Sequence, residues 1–380
     1  MTQPPATLDT VGEVARELLE PTAADSDIDG LPRSHLAALT AAGAYRAAFP
    51  KAVGGTAESA QTNRLIIERI AGSCGTTWFC FAQHRSPTLE LIASDNDAMR
   101  DRWLGPLVAG KALASIAFAH LRRPKQSLRM TRVTDGWRLD GTLDWVTGWP
   151  ITDVCLVQGL ATQEVGAGTE LSGEPQVVSV LIEPPQPNPA VAPGLDAGPT
   201  LPLAAMGGTH SWPIRFDGYY VPDEQVTSIR PLSEWKLAND RVAANANPAV
   251  FGMAQDSVDT LREVADRGGS DELREVSGTI GDQVSRVRDQ AYALADAAAA
   301  DDDVADASIP ERTRLRAVAL DLNLRAGTAV IAAQGGSSML LHAKAQRRAR
   351  EALFLYVQGQ TRELRSESLR IAATDGVMGE

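Results

Sequence analysis

The sequence predicts an α+β chain in three successive zones: an N-terminal helical domain, a middle antiparallel β domain and a C-terminal four-helix bundle. Three observations carry this. Apolar residues recur at helical spacing up to about residue 112. Between 113 and 229 the pattern changes to short alternating runs broken by Asp-Gly and Pro/Gly turns. From Trp235 onward Ala-rich segments at helical period return. The expected boundaries are 1–112, 113–229 and 230–380, with no internal repeat.

In the first zone His35 to Gly43 reads as a helix capped by Ser34 and stopped by glycine. Gln61 to Ala71 carries the apolar stripe Leu65, Ile66, Ile67, Ile70. Thr76 to Ser94 is rich in apolar and aromatic residues and reads as one buried helix, and Asp97 begins another that ends near Gly110. In the second zone Val133 to Thr147 alternates around Asp135-Gly136 and Asp140-Gly141, a strand-turn-strand signal. Ala117 to Leu121, Val154 to Val157, Val177 to Ile182 and Ile214 to Pro222 are further strands, and Pro184 to Pro202 is loop. In the third zone Ala291–Ala300 and Ala317–Ala333 belong to long helices, with Asp301-Asp302-Asp303 an exposed loop between them.

Composition bounds function. The chain has 380 residues, 44% hydrophobic and 22% charged, with a net charge of -12. That balance argues against a nucleic-acid partner, because phosphate binding wants clustered cations. No apolar run reaches the ~18 residues of a membrane span, and Met1 to Thr10 lacks the pattern of a secretory signal. Cys74, Cys80 and Cys155 form no C-x-x-C pair and read as core thiols of a cytoplasmic protein. Five histidines without ligand spacing predict no metal.

Four segments in order resemble the acyl-CoA dehydrogenase superfamily. Leu31-Pro32-Arg33 to Val53-Gly54-Gly55 is similar to its first helix and Gly-Gly turn; Asp135 to Thr142 with Trp145-Val146-Thr147 resembles its DGW-x-L-x-GT…W-I-T hairpin. Met206-Gly207-Gly208-Thr209 through Val221-Pro222 resembles its MG-x-R-x-S strand, and Gly335-Gly336 with Gln346-Arg347 and Arg350-Glu351-Ala352 its GG…ER-x-x-RDA run.

The resemblance implies FAD, an even-numbered homo-oligomer (dimer or tetramer) and a small-molecule substrate such as an acyl-CoA. It places Trp145 and Thr147 against the isoalloxazine and N5, with Phe118 and His120 on the preceding strand. It assigns Arg267, Gln334, Gly335, Gly336 and Thr361 to flavin contacts, some across a subunit interface. Arg267 and Gln334 are out of the family's register, and Arg122-Arg123-Pro124-Lys125 replaces the family's Gly/Ser loop, so these cations serve either an anion or solvent. His84 matches a histidine near the substrate mouth, with a structural role as the alternative. Asn245 and Asn247 are expected on the first bundle helix, lining a polar cavity or bonding across the bundle.

The family's base is a glutamate, needed to remove an α-proton while hydride leaves for flavin. Ungapped counting puts Gly359 at its position. Asp240 is the remaining candidate, with an exposed carboxylate at a helix N-terminus as the alternative. The breadth of the resemblance favours an FAD-dependent acyl thioester dehydrogenase with a relocated or weak base. The alternatives are a flavin-dependent monooxygenase using diffusible reduced FMN, for which Gly335-Gly336-Ser337-Ser338 speaks, and a non-catalytic partner in a hetero-oligomer.

Overall fold

The computed structural model describes residues 7–163 and 173–373, with 162 and 163 described by their backbone alone. Residues 1–6, part of the segment read for a secretory signal, lie outside. The first zone is helical: α1 (Thr7–Val14), α2 (Ala23–Ile28), α3 (Arg33–Ala41), α4 (Ala60–Ser73), α5 (Gly75–Gln83), α6 (Arg85–Ala93), then α7 (Asp97–Met99), which passes through a π turn into α8 (Gly105–Val108). Two expectations are corrected here. Helix α3 begins one residue before Ser34, and the position ahead of it is Pro32, extended at ψ 135°, with no side-chain cap. The segment expected as one helix from Thr76 to Ser94 is two, separated at His84. Pro87 supplies no N–H to the carbonyl four residues back, at Gln83, and the helix breaks there.

Among the described residues the middle zone is one nine-stranded sheet. Its strands are β1 (Ala114–Ala117), β2 (Leu128–Val133), β3 (Gly136–Val146), β4 (Val154–Gln163), β5 (Gln176–Ile182), β6 (Val191–Ala192), β7 (Leu195–Ala197), β8 (Trp212–Pro222) and β9 (Val226–Pro231). The path is β6-β7-β8-β3-β2-β4-β5-β9, with β1 also on β4. The sheet is mixed: β4 runs parallel to both β1 and β2, and the remaining pairs are antiparallel. Asp135-Gly136 makes the β2–β3 turn, with Asp135 at φ 57°. Asp140-Gly141 makes none; it lies inside β3 at a register shift. A Cβ on Gly141 would stand 2.0 Å from the Ser127 carbonyl, so that glycine serves the close approach of β2.

The last zone holds α9 (Leu232–Ala243), α10 (Pro248–Gly268), α11 (Asp271–Ala300), α12 (Asp302–Ala307), α13 (Ile309–Gln334), α14 (Lys344–Val357) and α15 (Arg362–Ala373). The aspartate run is not a loop: Asp301 caps α12 by accepting from the Asp303 and Val304 amides, and the next two carboxylates occupy its first turn. One apolar core joins first and last zones, from Ile66, Ile70 and Trp78 to Phe251, Val284, Leu320 and Leu355. The sheet has its own core around Trp137, Leu139, Val180 and Phe216. Among the described residues no helix is long and apolar enough to cross a membrane.

Candidate functional site

A cleft of about 860 Å³ opens where the ends of β1 and β3 meet α9 and the loop after α14. Phe118, Trp145, Thr147, Asp240, Gly359 and Thr361 line it together. Phe79, Trp235 and Phe354 add aromatic wall. Trp145, next to last in β3, leaves 40% of its surface uncovered, while Phe354 meets it edge-on at 5.8 Å between ring centres.

Thr147 is buried and sits in a chain of hydroxyls. The Trp145 indole donates to Thr147 Oγ1 at 3.2 Å; Thr147 is 3.1 Å from Ser211 Oγ, and Ser211 is 3.0 Å from Thr209 Oγ1, which donates to the Met206 carbonyl at 2.8 Å. Each hydroxyl carries one proton. Thr209 spends its proton on the carbonyl, so Ser211 donates to Thr209 and Thr147 donates to Ser211. The Thr147 proton therefore points away from the cleft.

His120 does not reach the cleft. It lies in a turn (Ala119–Arg122) rather than on a strand, buried, with Nε2 2.8 Å from the Gln158 carbonyl. That bond makes Nε2 the donor. Burial holds its pKa below the ordinary histidine value, so the ring is neutral. His84 is likewise structural: Nε2–H donates to the Leu107 carbonyl and Nδ1 accepts from the Ala114 amide, both about 3 Å away. Burial lowers its pKa to about 4. It ties the first zone to β1 rather than lining the cleft.

Asp240 is exposed in the last turn of α9, where its Oδ1 accepts from Asn239 Nδ2 at 3.0 Å. It is not at a helix N-terminus. Asn245 lies in the turn between α9 and α10 and accepts from Arg312; Asn247 caps α10 by accepting from the Ala249 amide. Both serve helix ends, because neither falls on a helical face. Arg267 sits in the exposed last turn of α10, its Nε on the Glu263 carbonyl. Gln334, Gly335 and Gly336 close α13 at the surface and are not on the cleft wall. Thr361 caps α15 through the Leu364 amide.

Gly359 is the position with the most chemistry around it. Its φ is 61°, and a Cβ there would lie 3.3 Å from an Arg316 terminal nitrogen and 3.5 Å from one of Arg122. Arg316 projects from α13, buried, and donates to the carbonyls of Ala243 (2.5 Å), Gln358 (2.9 Å) and Gly359 (3.3 Å). It caps the C-terminus of α9, as Arg312 does one turn earlier through the Arg241 carbonyl. Burial, and then the nearby Arg122, push its pKa down to about 10. Arg122 lies 4.9 Å over the Phe118 ring with Nε on Asn239 Oδ1. Sequence reading flagged the Arg122 loop but not Arg316, which sits in an Ala-rich helix with no local signal, nor Ser211 as the partner of Thr147.

Residues 5–111 match the family model of the acyl-CoA dehydrogenase N-terminal domain. Among solved structures, butyryl-CoA dehydrogenase from Megasphaera elsdenii is similar at a TM-score of 0.76 and 15% identity, over 98% of this chain and 100% of that one. Dibenzothiophene monooxygenase TdsC from Paenibacillus sp. A11-2 is similar at 0.77 and 16%, over 97% of each, and its FMN-bound form at 0.77 and 15%. No curated protein sequence matches. The chain thus has the acyl-CoA dehydrogenase fold over 97% or more of its length. Both dehydrogenases and a monooxygenase share its architecture.

Proposed function

We propose that the protein is a flavin-dependent oxidoreductase working without a carboxylate base at position 359, nearer in chemistry to the monooxygenases of this fold than to its dehydrogenases. One observation carries the reading: the place that resemblance gives to the α-proton base holds a glycine flanked by the Arg122 and Arg316 guanidiniums. Guanidinium stays protonated at neutral pH and removes no proton. The two carboxylates on the cleft wall, Asp240 and Glu363, are both exposed.

The cleft fits a planar ring in size, and the half-covered Trp145 is a face for such a ring to stack on. A bound flavin would supply the two-electron chemistry. Trp145 would cover its ring, Phe79 and Phe354 would keep water out, and Thr147 would meet its edge through its backbone or after the hydroxyl chain turns over. FMN goes with this reading and FAD with the dehydrogenase one. Arg267 and the Gln334–Gly336 turn, being off the cleft, would serve a neighbouring subunit's flavin. Met339, Leu340 and Leu341, each more than half exposed beside that turn, support a homo-oligomeric surface there. Buried free cysteines accord with a cytoplasmic protein.

A second reading, acyl thioester dehydrogenation with Asp240 as base, is favoured by the place of Asp240 on the same wall. Two assays on the purified protein separate them. Oxygen uptake that needs both reduced flavin and an organic acceptor supports the first reading; anaerobic bleaching of bound flavin by an acyl-CoA panel, lost in Asp240→Asn, overturns it. Failure to bind FMN, FAD or riboflavin would leave only a non-catalytic partner subunit.

A further inference from the structure

The guanidiniums of Arg122 and Arg316 reach the backbone at Gly359 from two different elements, the turn after β1 and the bundle helix α13. Neither forms an ion pair among the described residues. Arg316 is surrounded by carbonyl oxygens, which lower the cost of burying its charge without neutralising it. Arg122 is fixed by a single hydrogen bond through Nε and by its face on Phe118. Its planar fork of terminal nitrogens has no hydrogen-bond acceptor among the described residues.

Arg316 is buried and Arg122 partly so; the two like charges repel, and the protein bears that cost in a chain whose net charge is -12. The wall around them is cationic too. Arg123, Lys236, Arg362 and Arg365 line the same cleft against Asp240 and Glu363. Arg123 is turned toward Asp144 at 2.5 Å, so it is already paired, whereas the terminal nitrogens of Arg122 stay open on the cleft wall with Arg316 behind Gly359. The missing side chain at 359 leaves that corner free.

We infer that Arg122, Arg316 and Gly359 form a subsite for a compact oxyanion, a carboxylate or phosphate carried by the molecule bound in the cleft. This rests on the cleft being the functional site. An oxyanion there would take the open fork of Arg122 and relieve the repulsion between the two cations. The same chemistry could come from an acidic substrate or from the phosphate of the flavin itself.

The test uses the whole purified chain, first free of flavin, titrated calorimetrically with inorganic phosphate and with succinate, then with FMN and riboflavin. Phosphate and succinate are expected to bind, at least tenfold more weakly in Arg122→Gln. Gly359→Asp, which sets a carboxylate between the cations at a φ that Asp tolerates, should abolish that binding, whereas Gly359→Ala should retain it. If the flavin phosphate is the occupant, Arg122→Gln weakens FMN but not riboflavin. If a substrate anion is, both flavins bind unchanged and succinate binds the flavin-loaded protein. Anion binding that is absent, or equal in the wild type and Arg122→Gln, overturns the subsite. Should anions bind while no flavin does, the subsite stands and the proposed flavin chemistry falls.

Discussion

Arg348 and Glu351, neighbours on one face of α14, form a 2.6 Å ion pair with each side chain only 1% exposed. Arg347 adds a second contact to Glu351 at 2.9 Å. Arg348 also holds Asp256 of α10 and donates to the Ala71 and Gly72 carbonyls at the end of α4. Arg347 and Arg348 are therefore an internal tie between the bundle and the first zone. A Cβ on Gly75 would sit 2.7 Å from the Glu351 carboxylate, so α5 closes over the pair.

Removing the Glu351 charge leaves Arg347 buried without an ion pair and Arg348 with Asp256 alone. Glu351→Gln keeps the volume and is expected to cost roughly 3–5 kcal/mol, read as a lower urea midpoint with unchanged slope. A loss below 1 kcal/mol would mean that solvent reaches the pair.

The same carboxylate sets an acid limit. Burial acts to raise the Glu351 pKa, but Arg347 and Arg348 outweigh it and hold the group below its ordinary value. Asp256 behaves alike, with burial opposed by Arg348 and Lys344. A lowered folded pKa gives stability that is complete above the unfolded value of about 4 and lost as pH falls through the folded one. Melting temperature should therefore drop steeply below about pH 4 in the wild type and less steeply in Glu351→Gln. Parallel curves would refute the linkage.

Helices α4 and α10 touch backbone to backbone. A Cβ on Gly252 would fall 2.2 Å from the Glu68 carbonyl, and one on Gly72 would fall 2.9 Å from that of Gly252. Gly252→Ala should cost about 2–3 kcal/mol through forced separation of the helices. Gly278→Ala, in α11 with nothing near its Cβ, should gain up to about 1 kcal/mol. Urea unfolding of the two variants checks the contrast; equal effects would show that the contact yields.

At the cleft, Ser211→Ala removes the acceptor that draws the Thr147 proton inward. The freed hydroxyl can then turn to the cleft, so flavin affinity measured by fluorescence quenching should hold or rise while stability falls by about 1–3 kcal/mol. Trp145→Ala should do the reverse, weakening flavin at least tenfold with the melting temperature nearly unchanged, because the ring is already 40% exposed. Unaltered flavin binding in Trp145→Ala would remove this ring from the site.

Periodicity, turn residues and glycine spacing along the chain determined the order of helical, β and helical zones, because those signals are local: an apolar stripe at Ile66 and Ile70, or an Asp135-Gly136 turn, acts over a few residues. The short motifs likewise brought Trp145, Thr147, Gly359 and Thr361 into view, and the structure gathers them in one cleft. Only the tertiary structure decided what surrounds them. It turned His84 and His120 into buried struts, set Asn245 and Asn247 at helix ends, and carried Arg316 from an unremarkable alanine-rich helix to within reach of Gly359. The parallel pairing of β4 is of the same kind. The reason is physical: hydrogen-bond partners and charge neighbours hundreds of residues apart in sequence are chosen by packing geometry, and no local pattern encodes that distance.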